Sequence, residues 1–272
     1  MKKYPLAALD FLINKENEII FLEANSFPGF FKEQLKFNIP ELKKVLGKSL
    51  IILTSKDKPP SKNLTKALKG LTNLQVCFKE DNNFEKNLIN EKGEKTRKGK
   101  LLCRYNNLKN QLSKSYKIIN SEKISEITKD KLKTFKLLKS RIKTPKTFRF
   151  TTIPELEKII VKNMLGKIVI KPRFGARGED IFFSDNKKFH NLKLEKKEWI
   201  VQERIEINKK NGNYWDIRTL VANGKYIGSI ERSSKKPVVN ICQGGTLKKI
   251  PLSLDQKIKP IAENIIKIFE TT

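Results

Sequence analysis

Residues 168–178 read IVIKPRFGARG. The apolar beginning of this stretch predicts a β-strand over 167–171, and residues 181–183 predict another. Glycines let the turn between them bring its backbone N–H groups close to phosphate oxygens, and Lys171 adds a positive charge. The stretch fits neither the P-loop nor the dinucleotide-binding pattern. A phosphate site and an ordinary glycine turn between two strands therefore both stay open.

The sequence after this turn predicts antiparallel strands. WIVQERIEI at 199–207 alternates in strand fashion, and DIRTLVA at 216–222 turns at Asn223-Gly224 into KYIGSIER, which is typical of a hairpin. Its arginines, at the ends of the two paired strands, could converge on one pocket. The glycine-containing segment 240–245 adds a polar corner to that pocket.

The beginning of the chain predicts a second hairpin. LAALDFLI at 6–13 and EIIFLEA at 18–24 flank the polar turn NKEN. Asp10 lies on the first strand, and Glu23 and Asn25, two residues apart, share one face of its partner. Hard oxygen ligands of this kind suit a Mg²⁺ ion that bridges phosphates.

Residues 50–78 predict a parallel β-α-β unit. LIILT at 50–54 and LQVCF at 74–78 are short apolar runs, and LTKALKGL between them is helical up to Gly70. The polar stretch 81–100 is expected to be a loop. Further helices are predicted over 129–140, 152–163 and 256–270.

The positive charge of the chain is diffuse. Its 272 residues include 58 Lys and Arg against 29 Asp and Glu, a net charge of +29. Lys accounts for 49 of the 58 basic residues, and no Arg-rich run is present. A solvated lysine-rich surface is therefore favoured over specific nucleic-acid binding, which we do not expect.

The cysteine and histidine content excludes several site types. Cys77, Cys103 and Cys242 are far apart, so they support neither a disulfide framework nor a cysteine zinc site. The single histidine, His190, is expected at the surface. These features favour a reducing compartment, and with no long apolar run we expect a cytoplasmic protein without a membrane span.

Several motifs in a fixed order resemble the RimK-like branch of the ATP-grasp superfamily. They are Asp130-Lys131 with Thr134 and Leu137-Leu138, TPKT at 144–147, IVIKPRFGARG, IVQERI, DIRTLVANGKYIGSIER and NICQGG. The resemblance runs over residues 128–272, and residues 48–127 resemble the smaller pre-ATP-grasp domain. It implies an α/β fold with α+β lobes.

One piece of the family's order is displaced. ATP-grasp domains of this branch end with a metal-binding Asp and a Glu-x-Asn strand followed by Pro-Gly, and residues 1–40 resemble that ending. Domains are therefore expected at 1–40, 48–127 and 128–272. Three explanations stay open: a circularly permuted or equivalently split domain, which is slightly favoured, a fragment of a longer tandem, or subunits that complement one another.

The resemblance implies an ATP-dependent ligase. Such enzymes phosphorylate a carboxylate, and an amine then attacks the acyl phosphate to form an amide. The expected substrates are a small-molecule or peptide carboxylate and an amino acid such as glutamate, and the expected cofactors are ATP and Mg²⁺ or Mn²⁺. A homo-oligomer or a complementing subunit is a possible assembly. The alternative is a catalytically silent nucleotide-binding module.

The resemblance also assigns residues. Those implied to bind ATP are Lys131, Lys171, Gly175, Ala176, Arg177, Gly178, Gln202, Glu203 and Asp216. Those implied to hold the metal are Asp10, Glu23 and Asn25, and those implied to steady the transferring group are Arg218, Arg232 and Asn240.

Two departures from the family and three ordinary interpretations stand beside these assignments. Glu179-Asp180 put negative charge beside the glycine turn, and Val238 replaces a common Arg. The ordinary interpretations are an ion pair between Arg218 and Glu231, a solvated Lys131 and a turn-forming Asn25.

Overall fold

A computed structural model describes residues 6–29, 31–82, 88–96, 99–120, 122–175, 178, 180–184, 194, 198–239 and 244–271. The strands within these ranges are β1 (Leu6–Ile13), β2 (Ile19–Asn25), β3 (Ser49–Thr54), β4 (Asn73–Phe78), β5 (Lys100–Cys103), β6 (Lys117–Ile119), β7 (Thr147–Phe150), β8 (Ile168–Pro172), β9 (Phe182–Ser184), β10 (Trp199–Glu203), β11 (Tyr214–Ala222), β12 (Lys225–Ser234) and β13 (Thr246–Lys249). The α-helices are α1 (Ile39–Leu46), α2 (Lys62–Lys69), α3 (Asn106–Leu112), α4 (Glu122–Lys129), α5 (Lys131–Leu138), α6 (Ile153–Lys162) and α7 (Leu252–Glu270).

The largest sheet has the strand order β13-β12-β11-β1-β2, with antiparallel neighbours. The hairpin predicted at Asn223-Gly224 is confirmed, and its two turn residues have φ angles of 50° and 75°, as a type I′ turn requires. The N-terminal hairpin is also confirmed, and its β1 pairs with β11 so that Asp10 lies opposite Arg218. The first hairpin of the chain thus completes a sheet whose other strands lie two hundred residues away.

A second sheet has the order β7-β10-β8-β9. Its β8 and β9 correspond to the two strands predicted around the glycine turn. The strand predicted over 199–207 is too long, because β10 ends at Glu203. Beyond that point the carbonyl of Glu206 accepts a hydrogen bond from the backbone N–H of Lys15 at 3.2 Å, so the chain leaves the sheet for the tip of the N-terminal hairpin.

The third sheet, β4-β3-β5-β6, is parallel throughout. Its β3, α2 and β4 confirm the predicted β-α-β unit. The loop predicted over 81–100 is wrong at its end, because Lys100 already pairs with Leu50 as the first residue of β5. The short apolar run that follows is buried beside β3, a position that only the assembled sheet reveals.

A capping residue marks the start of α5. The longest helix, α7, packs against the main hydrophobic core. The Asp130 carboxylate accepts a hydrogen bond from the N–H of Lys133 at 3.0 Å and starts α5. Helix α7 begins at Leu252, earlier than the predicted start at 256, and packs its apolar face on the five-stranded sheet. No helix within the described ranges is long and apolar enough to cross a membrane.

Two buried amides fasten the N-terminal segment to the rest of the chain. The Gln34 side chain donates from Nε2 to the carbonyl of Arg218 at 2.8 Å. Asn120, which follows β6, accepts from the N–H of Leu6 at 3.2 Å and donates to the carbonyls of Leu6 and Ser26 at 2.6 and 2.5 Å. These bonds fix both the start of β1 and the loop after β2.

The contact between Gln34 and Gly228 in β12 predicts a sensitive position. A Cβ at Gly228, whose φ is 154°, would lie 2.0 Å from the Gln34 carbonyl oxygen. We expect Gly228→Ala to lower the free energy of unfolding by about 2–4 kcal/mol, through overpacking and backbone strain, in urea titrations. Gly166→Ala, which meets nothing within 4 Å, is the matched control. Equal stability of the two variants would contradict this packing.

Candidate active site

A cleft of about 1280 Å³ is lined by residues of the two antiparallel sheets and by residues that follow strands of the parallel sheet. Pockets for one small ligand usually measure about 300–1,000 Å³, so this cleft has room for more than one molecule. The residues assigned from the sequence that line it are Asp10, Glu23, Asn25, Lys131, Lys171, Gly175, Gly178, Glu203, Asp216, Arg218 and Arg232. Ala176, Arg177 and Asn240 lie outside the described residues, as do His190 and Cys242.

Two arginines and two aspartates form a buried network at the base of this cleft. Arg218 donates to Asp10 from Nε at 2.8 Å and from Nη2 at 2.7 Å. Arg232 donates to Asp216 from the same two nitrogens, at 2.7 and 2.6 Å, and its Nη2 lies 3.1 Å from Asp10. The predicted convergence of the two arginines is therefore present, with carboxylates between them.

The two carboxylates of this network differ in pKa. Burial raises the pKa of Asp10, but Arg218 and Arg232 outweigh burial and lower it to about 2. Burial raises the pKa of Asp216 to about 6 against the attraction of Arg232, and the charge of Asp10 contributes to the rise. The network therefore contains one carboxyl whose pKa is lowered and one whose pKa is raised, and the two titrate as a pair.

The ion pair between Arg218 and Glu231, one of the ordinary interpretations, is wrong. Arg218 lies opposite Ile230 in the β11–β12 register, and its guanidinium binds Asp10. The Glu231 carboxylate instead binds the ammonium of Lys210 at 2.5 Å. The hairpin register, which the sequence did not specify, decides this pairing.

Lys171 on β8 is a buried cation. Its residue surface is 8% exposed. Burial lowers its pKa to about 8, the negative charge of Glu23 opposes that change, and nearby Lys131 adds to it. A buried ammonium with incomplete charge compensation is a favourable place for an anionic ligand.

Lys131, at the start of α5, contacts the glycine turn. Its ammonium donates to the carbonyl of Gly175 at 2.6 Å, so it is not simply a solvated helix residue. Gly178 has a φ of 75°, and a Cβ there would lie 2.4 Å from Cγ1 of Val238. Gly178 therefore packs closely against Val238 in the segment after β12.

Glu23 and Asn25 provide oxygen ligands beside Asp10. Glu23 pairs directly with Asp10 across β1 and β2, and Asn25 ends β2. The Asn25 Nδ2 is buried without a hydrogen-bond partner, so its amide is not committed to the protein and its oxygen can turn toward the cleft. Within the described ranges, no group of three His, Cys, Asp or Glu side chains could hold a metal. The Glu23 carboxylate and the Asn25 amide oxygen are ligands of the kind that Mg²⁺ takes, whereas both carboxylate oxygens of Asp10 are bound by arginines.

Gln202 and Glu203, which the family resemblance places at the adenine-binding linker, differ in what their side chains contact. Gln202 is buried and its Nε2 donates to Oγ1 of Thr147 at 2.7 Å, so its side chain is occupied by β7. Glu203 lines the cleft, and its backbone N–H donates to the carbonyl of Lys146 at 2.9 Å. Of the two, only Glu203 lines the cleft, and its carboxylate accepts from the N–H of Lys146 at 3.4 Å.

One wall of the cleft was not anticipated from the sequence. It is formed by residues that follow the strands of the parallel sheet, among them Lys79 after β4 and Arg104 after β5. Ligands of open parallel sheets bind outside the carboxyl ends of the strands, and that rule was the available signal. The short β5 was itself not predicted, so Arg104 could not be placed.

Comparison with known proteins identifies relatives. The family described as "RimK-like ATP-grasp domain" matches residues 128–271. A coenzyme γ-F420-2:α-L-glutamate ligase of Methanocaldococcus jannaschii is 34% identical over 153 residues, which cover 54% of this chain and 51% of that protein. Its counterpart from Methanococcus maripaludis is 31% identical over 162 residues, covering 57% and 55%. The chain thus matches about half the length of these relatives.

Solved structures with low sequence identity share the fold. A protein assigned as a γ-glutamylcysteine synthetase from Methylobacillus flagellatus KT has a TM-score of 0.69 at 9% identity, covering 99% of this chain and 89% of its own. The D-alanine–D-alanine ligase of Bacillus anthracis complexed with ATP has a TM-score of 0.53 at 14% identity, covering 82% and 78%.

The burial of Lys171 predicts a stability effect with a defined pH dependence. Because its folded pKa of about 8 lies below the ordinary 10.5, wild-type stability rises between those pH values as the ammonium is lost. We expect Lys171→Met to raise the free energy of unfolding at pH 7 by about 1–3 kcal/mol and to lack that rise. Urea titrations in metal-free buffer at pH 7 and 10 measure it.

Lys162→Met, at an exposed position of α6, is the control for this substitution. It should leave stability nearly unchanged at both pH values. A lower stability of Lys171→Met at pH 7 would show that the wild-type ammonium is already compensated by its surroundings.

Proposed function

Because the chain belongs to the RimK-like ATP-grasp family, we propose that it is an ATP- and Mg²⁺-dependent ligase that joins a carboxylate to an amine. A carboxylate oxygen of one substrate attacks the γ-phosphorus of ATP, and ADP leaves. The amine nitrogen of the second substrate then attacks the acyl carbon, and phosphate leaves as the amide bond forms. Catalysis of this kind depends mainly on positioning and charge neutralisation.

Lys171 and Lys131 are proposed to bind the ATP phosphates. Support comes from the buried ammonium of Lys171 and from the bond that holds Lys131 to the glycine turn. The loop of Gly175, Ala176, Arg177 and Gly178 would cover the phosphates. Glu203 is proposed for the adenine edge, and Gln202, whose side chain binds Thr147, would act there through its backbone.

Glu23 and Asn25, with Asp10, are proposed to hold the metal. A bound Mg²⁺ would neutralise charge on the transferring phosphoryl group. The Asp10 carboxylate is already bound by Arg218 and Arg232, which fix its position. Asp10 is therefore proposed to hold the two arginines in place as well as to bind the metal.

Arg218 is proposed as the arginine that meets the reacting carboxylate or acyl phosphate. Its Nε and Nη2 are bound to Asp10. Its third nitrogen, Nη1, lies near Gly29, at which a Cβ would be 3.8 Å away. Arg232 is buried between Asp216 and Asp10 and would act by holding these carboxylates, with Asp216 at the nucleotide side. Asn240 is proposed, together with these two arginines, to steady the transferring group.

One observation supports the enzyme most directly: Glu23 and Lys171 line the same cleft of one chain, and the charge of Glu23 acts on the pKa of Lys171. A silent module would hold these residues far apart. The N-terminal hairpin contributes to this cleft because β1 pairs with β11 of the same chain. The proposed units are 1–40, 48–127 and 128–272.

The proposed amine is an amino acid, with glutamate the first candidate. Support comes from the two archaeal relatives, which are named as glutamate ligases. A small-molecule or peptide carboxylate is the proposed acceptor. A cytoplasmic location and a homo-oligomer remain predictions.

Substitution of the two facing residues tests the proposed function. We expect Lys171→Ala and Glu23→Ala each to lower ADP formation, measured with candidate carboxylates and glutamate, by about 10²–10³-fold or more, because each removes charge from the phosphoryl-transfer site. Full activity in either variant would refute the assignment.

Lys162→Ala on α6 and Glu16→Ala at the hairpin tip are the matched controls, since both residues are exposed and neither lines the cleft. Both should keep wild-type turnover. Binding of an ATP analogue without ADP formation from any pair of substrates would favour the silent module instead.

A further inference from the structure

A buried amide beside the parallel sheet bonds to both strands of the N-terminal hairpin. Asn120, which follows β6, is fully buried. Its Oδ1 accepts a hydrogen bond from the N–H of Leu6 at 3.2 Å, and its Nδ2 donates to the carbonyls of Leu6 and Ser26 at 2.6 and 2.5 Å. Leu6 begins β1, and Ser26 directly follows β2. The side chain therefore joins the two strands at the open end of the hairpin.

These bonds lie immediately beyond the last residue of β2. The ladder between β1 and β2 ends at the pair of Ala8 and Asn25. Within the described ranges β2 is the outermost strand of its sheet, so Asn25 pairs with one neighbouring strand. The ends of such strands fray easily because few backbone hydrogen bonds hold them. By bonding to Ser26, the Asn120 amide holds Asn25 in the ladder.

Asn25 is one of the residues proposed to hold the metal. It lies on the same face of β2 as Glu23, and both residues line the cleft. A frayed end would turn the Asn25 amide away from the ion, whereas Glu23 is two residues further from that end. Metal ligands depend on neighbouring groups that fix their orientation, and loss of such a group typically lowers metal affinity by about 10–100-fold.

The bonds of Asn120 require an amide side chain. They use its oxygen as an acceptor and its nitrogen as a donor to two carbonyls. An ionised carboxylate has no donor for those carbonyls and would place its charge against their oxygens. The φ angle at this position is 60°, which lies in the left-handed region that asparagine and aspartate tolerate. Aspartate would therefore keep the backbone conformation and lose the two donated bonds.

The backbone of Asn120 is itself held by a buried ammonium. Lys109 on α3 is 2% exposed, and its Nζ donates to the carbonyl of Asn120 at 2.7 Å. The same ammonium donates to Oγ of Ser125 on α4. Asn120 is thus fixed to two helices beside the parallel sheet while its side chain holds the hairpin.

We propose that Asn120 is a positioning residue for the metal: it holds the end of β2 so that the Asn25 amide faces the ion beside Glu23. This inference rests on the proposed ligase function and adds a residue to its site. Asn120 does not line the cleft, and it acts on Asn25 through the backbone of Leu6 and Ser26. The parallel sheet thereby contributes to the affinity of a metal site on another sheet.

Asn120→Asp tests this proposal, because it removes the two donated bonds and keeps the size of the side chain. The Mn²⁺ dissociation constant of the full-length protein, in its complex with a non-hydrolysable ATP analogue, is read from the EPR signal of free Mn²⁺. We expect this constant to rise by about tenfold or more in the variant. Affinity for the analogue without metal should stay unchanged.

Asn82→Asp is the matched control, because the Asn82 amide makes the same set of bonds elsewhere. It accepts from the N–H of Ile89 at 2.5 Å and donates to the carbonyls of Ile89 and Phe78 at 3.1 and 2.7 Å. Asn82 does not line the cleft. This variant should lose stability and keep its Mn²⁺ affinity. An equal rise of the dissociation constant in both variants, or no rise in Asn120→Asp, would overturn the proposal.

A double-mutant cycle shows whether Asn120 acts through Asn25. In the Asn25→Ala background, Asn120→Asp should change the Mn²⁺ dissociation constant little, because the ligand that it positions is gone. Two fully additive losses would contradict the positioning role. If Asn120→Asp does not fold, Asn120→Gly decides by the same measurements, since glycine keeps the positive φ and adds no charge.

The measurements also separate this inference from the proposed function. A selective loss of Mn²⁺ affinity in Asn120→Asp, with no ADP formation by the wild type from any acid, would overturn the ligase function alone. ADP formation by a wild type whose Mn²⁺ affinity does not depend on Asn120 would overturn the positioning role alone. Absence of Mn²⁺ binding by the wild-type complex would overturn the metal site and this inference together.

Discussion

The bidentate ion pair between Arg218 and Asp10 joins side chains that are 208 residues apart in the sequence. Both groups are largely withdrawn from water, and a buried charge without a partner would cost several kcal/mol. Strand β1 can therefore lie beside β11 only in the register that brings Asp10 to the arginines. A shift by one residue would turn the carboxylate to the other face of the sheet.

The position of the remaining site residues follows from that register. Once β1 is fixed, β2 carries Glu23 and Asn25 to the cleft, and the loop after β2 reaches both Arg218 and Arg104. Within the buried network, the charges of Asp10 and Asp216 are neutralised because the two arginines bind both carboxylates. The charge of Lys171 is buried and only partly compensated. The cleft thus combines a neutralised base with a buried cation beside it.

Local patterns predicted the elements with strong periodicity or turn chemistry. The Asn223-Gly224 hairpin, the β-α-β unit of β3, α2 and β4, and the helix after Asp130 all follow from signals within a few residues. The short strands β5 and β7 gave no such signal, because four residues carry too little periodicity. Arg173 illustrates a further limit: it adjoins the glycine turn in sequence, yet its guanidinium binds Asp130 and Glu198.

By itself, the sequence determined the fold class, the family and the identity of most candidate residues, because these depend on motifs and local hydrogen bonding. Tertiary structure alone decided which charges meet. The pairing of Arg218 with Asp10 instead of Glu231, the burial of Lys171 and the gathering of Arg104 and Lys129 at one wall all depend on strand register and sheet packing. Those are contacts between distant residues, and electrostatic interactions depend on distance in space rather than on separation along the chain.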